Sequence, residues 1–196
     1  MHPDHERISV LKVTATSLPE VLVIEPDVFR DKRGYFEETY HVRRYREFGM
    51  GASFVQDNVS FSSKGTLRGL HFQYPFPQAK LVQVLRGEVF DVAVDIRRGS
   101  PTFGRWTGIR LTEINMKQLY IPEGFAHGFC VMSDHALFIY KCSNFYNRET
   151  ERGILWNDPD LDIDWPVKEP VISEKDGENP LLKDLPDEFM PLSDEE

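Results

Sequence analysis

Apolar residues recur along this chain in short runs, most of them at every second position and each ended by Gly, Pro, Asn or Asp. Alternation with a period of two predicts β-strands that bury one face, and helical spacing is the exception here. Many short strands with few helices predict an all-β sandwich or barrel. The single strands expected from this pattern cover residues 21–25, 35–40, 54–61, Leu67–Gln73, 107–111 and Gln118–Ile121.

Two β-hairpins are expected between strands that lie close in sequence. The first covers residues 80–94 and turns at Arg86-Gly87, and the second covers residues 125–142 and turns at Ser133-Asp134. Glycine and aspartate are residues that tight turns favour. Both segments are therefore predicted to form antiparallel pairs within one sheet.

The second hairpin makes a specific prediction about side chains. With an even number of residues in its loop, His127 lies opposite Tyr140 and both side chains share one face of the sheet. The two cysteines, Cys130 and Cys142, are then several residues apart along the pair, which is beyond disulfide reach. Both are expected to be reduced packing residues.

Two short helices are expected outside the strands. One covers residues 42–48 and ends at Gly49. The other opens near Ser173, where a serine followed three positions later by Asp176 fits a capping box. Residues 186–196 are acidic and contain proline, and they are predicted to form a loose tail.

Composition limits the protein's class and its partners. The 196 residues, of which 40% are hydrophobic, predict one domain over residues 1–196 with a sizeable core. The net charge is −9, and no basic run or basic amphipathic helix is present that would bind nucleic acid or an anionic membrane. No export signal or membrane span is recognised. A soluble, cytoplasmic protein with no nucleic-acid or membrane partner is expected.

One motif points to a site inside a barrel. Pro122, Gly124 and His127 form a Pro-x-Gly-x-x-His pattern that resembles the second signature of the cupin superfamily of jelly-roll barrels. Metal-binding cupins need a His-x-His pair on an earlier strand, whereas this chain has His71 followed by Gln73. Because a divalent ion needs three or four convergent ligands, no bound metal is expected.

Without a metal, His71 is an imidazole that could move protons near neutral pH. The alternative is a core histidine satisfied by backbone groups. Lys80 could stabilise an oxyanion or simply point to water from a sheet edge, and Tyr140 could be an acid or a packing residue. Arg68 and His71 have opposite parity in a regular strand, so both can face inward only if Gly69 forms a bulge.

The order of several motifs identifies a family. The chain resembles the dTDP-4-dehydrorhamnose 3,5-epimerases, cupin-fold enzymes of nucleotide-sugar biosynthesis, from about residue 21 to residue 183. The resemblance implies a mostly β protein, a cupin jelly-roll (double-stranded β-helix) barrel with N-terminal strands and short C-terminal helices. The most specific matching segments are residues 31–36, 54–58, Leu67–Gln73, 87–95, 121–129, 140–142 and 156–159.

The resemblance implies four catalytic roles. His71 would be the general base, and Asp176 would hold the other ring nitrogen of His71 in the right tautomer. Lys80 would stabilise the enolate oxygen at C4. Tyr140 would deliver a proton from the opposite face of the sugar ring.

The resemblance also implies substrate contacts and a partner subunit. The substrate would be a dTDP-linked 4-keto-6-deoxy sugar, and the protein would be a homodimer in which Arg33 is lent across the interface. Positive charge is needed locally, since an acidic protein repels a diphosphate. The residues implied in binding are Arg33, Glu38, Gln56, Asn58, Arg68, His127, Glu151 and Lys175.

The implied reaction needs no cofactor, because C3 and C5 both flank the C4 ketone and can each lose a proton to an enolate. The leading hypothesis is a metal-independent 3,5-epimerase. Two alternatives remain open at this point. One is a single-centre epimerase or a 3,4-ketoisomerase acting on a related dTDP-sugar, and the other is a non-catalytic sugar-nucleotide binding module.

Overall fold

The computed structural model describes residues 11–193, and within them the regular secondary structure consists mainly of antiparallel strands. Two short α-helices and two 3₁₀ turns complete the described elements. Five of the six predicted single strands agree with the observed bounds within two residues, and Leu67–Gln73 and Gln118–Ile121 match them at both ends. The sixth, predicted over residues 35–40, is observed as Gly34–Glu37. The strands are β1 (Lys12–Ala15), β2 (Leu22–Glu25), β3 (Val28–Asp31), β4 (Gly34–Glu37), β5 (Gln56–Ser63), β6 (Leu67–Gln73), β7 (Lys80–Arg86), β8 (Glu88–Asp95), β9 (Trp106–Thr112), β10 (Gln118–Ile121), β11 (Phe125–Val131), β12 (His135–Cys142) and β13 (Glu151–Gly153).

Two sheets face each other and enclose the main core. The larger sheet has the order β1-β2-β10-β7-β12-β5, and the smaller has the order β13-β6-β11-β8-β9. From β5 to β8 the chain alternates between the two sheets, as it does again from β10 to β13. Large apolar side chains such as Phe129 and Phe138 stack between the sheets, with ring centroids 4.3 Å apart. The predicted mostly β jelly-roll barrel is confirmed.

Neither predicted hairpin exists as a pair within one sheet. β7 pairs with β10 and β12, whereas β8 pairs with β9 and β11. Gly87 has φ +86°, and a Cβ there would lie 2.1 Å from the carbonyl oxygen of His135. The glycine therefore turns the chain from one sheet into the other. A short turn signal marks both kinds of connection, so the local sequence could not distinguish them.

The second connection is of the same kind, because β11 lies in the smaller sheet and β12 in the larger. The predicted pairing of His127 with Tyr140 is therefore wrong. Tyr140 pairs with Asn58 and Val82. Both cysteines are buried and free, so the prediction that they form no disulfide is confirmed. The strand register on which that prediction was based is wrong.

The two predicted helices are present. Helix α1 covers Val42–Arg46 and helix α2 covers Glu174–Gly177. The Ser173 hydroxyl accepts a hydrogen bond from the Asp176 backbone N–H at 3.1 Å, so the predicted N-cap is confirmed. The Asp176 carboxylate contacts His71 and the Gly69 N–H.

A bulge interrupts β6, as the alternation suggested. His127 pairs with His71 and Phe129 pairs with Arg68, so two residues of β6 stand against Gly128 alone. Gly69 has φ +126°, and a Cβ there would lie 2.6 Å from the Gly128 Cα. A side chain at this position has no room, which explains the glycine.

The predicted loose tail is wrong for residues 186–193, while residues 194–196 lie outside the described part. The Arg98 N–H donates to the Pro191 carbonyl at 2.9 Å, and the Ser193 N–H donates to the Arg98 carbonyl at 2.9 Å. Met190 is buried in the apolar cluster outside the smaller sheet. The acidic composition of this segment led to the wrong prediction, because it gave no sign that Met190 packs in this apolar cluster.

The prediction of one domain over the whole chain stays a prediction. Among residues 11–193, no helix is both long enough and apolar enough to cross a bilayer.

Candidate active site

Side chains from both sheets converge on one cavity of about 240 Å³, called the barrel cavity below. His71 comes from β6 in the smaller sheet, whereas Lys80 and Tyr140 come from β7 and β12 in the larger sheet. Residues two apart on a strand share a face, so pairs such as His71 and Gln73 both line the cavity. The lining consists of Gln56, Asn58, His71, Phe72, Gln73, Gln78, Lys80, Tyr140, Cys142, Tyr146 and Glu151.

A carboxylate lies directly behind His71. The Nε2 atom of His71 is 2.6 Å from Oδ1 of Asp176, and the Gly69 N–H donates to Oδ2 at 3.4 Å. Burial raises the pKa of Asp176, but the hydrogen bonds to its carboxylate, foremost that from His71, outweigh burial and hold this pKa below its usual value. An ionised carboxylate only accepts hydrogen bonds, so Nε2 carries a proton. The Nδ1 atom has no hydrogen-bond partner among residues 11–193 and is left as the proton acceptor.

The ammonium group of Lys80 makes no hydrogen bond within the described residues. Loss of solvation lowers the pKa of Lys80, and the acidic groups of Cys142, Asp91 and Glu151 act in the opposite direction. An unpartnered ammonium in a partly dry cavity can stabilise an oxyanion strongly, because few water molecules compete for it.

Tyr140 presents a phenol to the same cavity. Burial raises the pKa of Tyr140, as does Cys142, while the charge of Arg68 lowers it. The hydroxyl has no hydrogen-bond partner among residues 11–193. At neutral pH the phenol therefore keeps its proton and is able to donate it.

Polar groups mark the open rim of the cavity. Glu151 accepts hydrogen bonds from the Tyr146 hydroxyl at 2.9 Å and from the Lys175 ammonium. Although burial raises the pKa of Glu151, these two hydrogen bonds outweigh it and hold the pKa below its usual value. Gln56 and Asn58 are hydrogen bonded to each other at 3.0 Å on β5.

A second histidine–carboxylate pair lies beneath the cavity. The Nε2 atom of His127 is 3.0 Å from both carboxylate oxygens of Asp91. Burial raises the pKa of Asp91 and lowers that of His127, and the attraction between the two groups opposes both shifts. His127 pairs with His71 across the two strands, but it is buried and does not line the cavity.

The family model for dTDP-4-dehydrorhamnose 3,5-epimerase matches residues 15–184. The chain belongs to this epimerase family. The dTDP-4-dehydrorhamnose 3,5-epimerase of Shigella flexneri is 55% identical over 168 residues, which cover 85% of this chain and 93% of the relative. The corresponding enzyme of Pseudomonas aeruginosa is 53% identical over 176 residues, covering 89% and 97% of the two chains.

A solved structure supports the same relationship. The dTDP-6-deoxy-D-glucose-3,5-epimerase of Legionella pneumophila, in complex with dTDP-4-keto-L-rhamnose, has a TM-score of 0.92 against this epimerase-family chain. It is 48% identical and covers 94% of this chain and 99% of its own. The similarity therefore extends over the whole barrel.

The structure brings most of the predicted site residues of this family member together. The four predicted catalytic residues lie in or directly behind the barrel cavity, and so do most of the predicted binding residues. Arg68 lies beside it, where its Nε donates to the Ser62 hydroxyl at 3.2 Å. The predicted residues found at the cavity or its rim are His71, Lys80, Tyr140, Asp176, Gln56, Asn58, Arg68, Glu151 and Lys175.

Three predicted binding residues lie neither in the barrel cavity nor at its rim: His127 is buried beneath it, and Arg33 and Glu38 lie elsewhere in the chain. Arg33 and Glu38 line a separate cavity of about 860 Å³ beside the β3–β4 hairpin. The Arg33 guanidinium is exposed and pairs with Asp31, with Nε 3.0 Å from Oδ2. Glu38 pairs with Arg44. Within the described part of this chain, Arg33 does not line the barrel cavity.

Sequence reasoning missed several lining residues of the family site. Cys142 was interpreted only as a packing residue, although it lies two positions after Tyr140 and period two places both on one face. Tyr146 was given no role from the sequence. Gln73 was considered only as a failed metal ligand. Among residues 11–193, no group of three or more His, Cys, Asp or Glu side chains is placed to hold a metal ion.

Proposed function

We propose that this chain inverts C3 and C5 of a dTDP-linked 4-keto-6-deoxy sugar, converting dTDP-4-dehydro-6-deoxy-D-glucose to dTDP-4-dehydro-L-rhamnose. The observation that carries the proposal is the placement of His71 and Tyr140 on facing sheets of one cavity, with Lys80 beside them. A base and an acid on opposite sides of a ring are what inversion requires.

Each inversion follows the same proton path. The Nδ1 atom of His71 removes the proton from the carbon next to the ketone, and the electron pair moves onto the C4 oxygen as an enolate. Lys80 stabilises this oxygen. The enolate then collapses, and the carbon takes the Tyr140 proton from the opposite face. This leaves a protonated His71 and a phenolate at Tyr140, and exchange with solvent resets both groups before the second carbon reacts.

Asp176 supports His71 at the moment when the ring gains its proton. The carboxylate holds Nε2–H at 2.6 Å and compensates the positive charge that forms on the imidazole. The carboxylate itself stays ionised, in accord with the lowered pKa of Asp176. His71 is thereby oriented as well as stabilised.

The charged diphosphate needs cations, because the protein carries a net charge of −9. Arg68 and Lys175 lie beside the cavity and can supply two of them. Gln56, Asn58 and Glu151 are the further polar contacts that we propose for the ligand. His127 is buried and its Nε2 faces Asp91, so we do not propose it as a direct contact. The reaction needs neither a metal nor a cofactor.

We assign the third cation, Arg33, to a neighbouring subunit in a homodimer, together with Glu38. Arg33 lies at the tip of the β3–β4 hairpin, on which Tyr35 and Phe36 are 53% and 67% exposed. Val59 is also exposed on the outer side of the edge strand β5. Apolar side chains left open on a hairpin and on a sheet edge are typical of surfaces that pair with a second copy.

Mixing two inactive variants tests this subunit exchange. If Arg33 acts across the interface, a heterodimer of Arg33→Ala and His71→Ala contains one complete site. Random mixing of equal amounts then restores about a quarter of wild-type activity, since about half of the dimers are mixed and each has one good site. The measurement is the rate of product formation after co-refolding. Activity that stays at the sum of the separate variants would show that Arg33 serves its own chain.

The proposed reaction is tested by counting deuterium. After incubation of the purified wild-type protein with dTDP-4-dehydro-6-deoxy-D-glucose in D₂O, mass spectrometry should detect two deuterium atoms in the sugar. Uptake of one atom would indicate a single-centre epimerase or a ketoisomerase. No uptake would indicate a binding module.

A further inference from the structure

The mouth of the barrel cavity carries three exposed aromatic side chains, called the aromatic mouth below. Phe76, Phe145 and Tyr146 are 57%, 66% and 54% exposed, and all three line a groove of about 570 Å³. Tyr146 lines both this groove and the barrel cavity, so the two spaces adjoin. The barrel cavity, at about 240 Å³, has room for a sugar ring but not for a whole sugar nucleotide. The rest of the ligand must therefore extend toward the aromatic mouth.

The aromatic mouth is formed by two loops, residues 74–79 and 143–149, and one buried amide holds both of them. The Gln73 Nε2 group donates to the Phe76 carbonyl at 2.6 Å and to the Phe145 carbonyl at 3.1 Å. The Gln73 Oε1 atom accepts from the Asn147 N–H at 2.8 Å. Gln73 is only 5% exposed. Three of the four hydrogen bonds available to a glutamine side chain are thus used to hold these loops.

The backbone at Phe76 shows that this loop conformation depends on outside support. Phe76 has φ +69°, a region that residues with a side chain rarely adopt. Such conformations persist when surrounding contacts hold them, and they are frequent near ligand sites. The shortest of the three Gln73 hydrogen bonds is the one to the carbonyl of this residue.

We propose that Gln73 is a positioning residue for the nucleotide part of the substrate. It takes no part in proton transfer; it keeps the two loops and their aromatic rings in the conformation that receives the ligand. Binding then requires little ordering of the loops, which favours affinity. This inference rests on the proposed function, since it assumes a nucleotide-linked substrate.

The Gln73→Met variant tests the proposal, because methionine has a similar size and no amide. The probe is dTDP alone, titrated by calorimetry, together with steady-state kinetics on the 4-keto sugar nucleotide. We expect the Kd for dTDP and the KM to rise about tenfold, because the loops must now be ordered during binding. The kcat should stay within about threefold of wild type, since His71, Lys80 and Tyr140 are unchanged.

Gln118→Met is the matched control. Gln118 is equally buried and also makes three hydrogen bonds, accepting from Tyr45 and donating to Thr39 and Gln83, but it lies away from both spaces. This variant should lose thermal stability and keep the wild-type Kd. If Gln73→Met does not fold, Gln73→Glu replaces it, because the carboxylate keeps the acceptor for Asn147 and loses both donors.

The outcomes distinguish failure of the positioning role of Gln73 from failure of the proposed function. A wild-type Kd and KM in the Gln73 variant would overturn the positioning role, and so would a loss of kcat at unchanged Kd. An equal rise in Kd in Gln118→Met would overturn it as well, since the effect would then be general destabilisation. If the wild-type protein itself does not bind dTDP, the proposed function fails instead.

Discussion

The His71→Ala variant should lose proton exchange at both C3 and C5, with kcat reduced about 10³–10⁴-fold. In the proposed mechanism one imidazole removes both protons, and no other described group in the barrel cavity is both basic and paired with a buried carboxylate in this way. Substrate binding should change little, because the ring is small and the cations that hold the diphosphate are elsewhere. The measurement is deuterium uptake from D₂O, followed by NMR at the two carbons.

The control for this variant is His135→Ala. His135 stacks against Phe61 with ring centroids 5.3 Å apart, on the larger sheet and away from the barrel cavity. This variant should exchange protons at the wild-type rate. Deuterium uptake by His71→Ala at a rate close to wild type would show that another group is the base.

The Tyr140→Phe variant should separate exchange from inversion. The variant keeps the aromatic ring, and the hydroxyl it removes has no hydrogen-bond partner among residues 11–193, so folding should be unaffected. His71 still removes the proton and can return a deuteron to the same face. Formation of the inverted product should therefore fall by about 10²-fold or more, while exchange continues. Tyr120→Phe, on a buried tyrosine outside the cavity lining, should behave as wild type.

Period-two alternation predicted much of this fold because it is a local property. A strand such as Leu67–Gln73 can be recognised from its own residues, and its alternation also places His71 and Gln73 on one face. The opposite parity of Arg68 and His71 also showed that both could face inward only if Gly69 formed a bulge, and the structure has a bulge there. The capping box at Ser173 is also local, which is why the start of α2 was found.

Connections between sheets could not be predicted in the same way. A turn at Gly87 or near Ser133 changes the chain direction, but its residues do not state whether the next strand stays in the same sheet. That choice depends on which distant strands pair, and β7 pairs with β10 and β12. The error placed Tyr140 opposite His127, whereas the structure places it on the sheet that faces His71 across the cavity.

Long-range contacts explain the remaining gaps. Asp176 is 105 residues away from His71 in sequence, and only the family resemblance linked the two. The role of Gln73 was missed because its partners lie on two loops, of which one is more than seventy residues away. The C-terminal segment was taken for a tail because its charges are numerous, whereas its position depends on Met190 and the backbone of Arg98.

The central claim is that base and acid act from opposite faces of the sugar, and Tyr140→Phe tests it most directly. The measurement is the deuterium content and the configuration of the sugar, recovered after an incubation in D₂O that is long enough for repeated proton exchange. We predict deuterium at C3 or C5 in sugar that keeps its original configuration, with little inverted product. Inversion by Tyr140→Phe at the wild-type rate would contradict the claim, because the proton on the second face would then come from another donor.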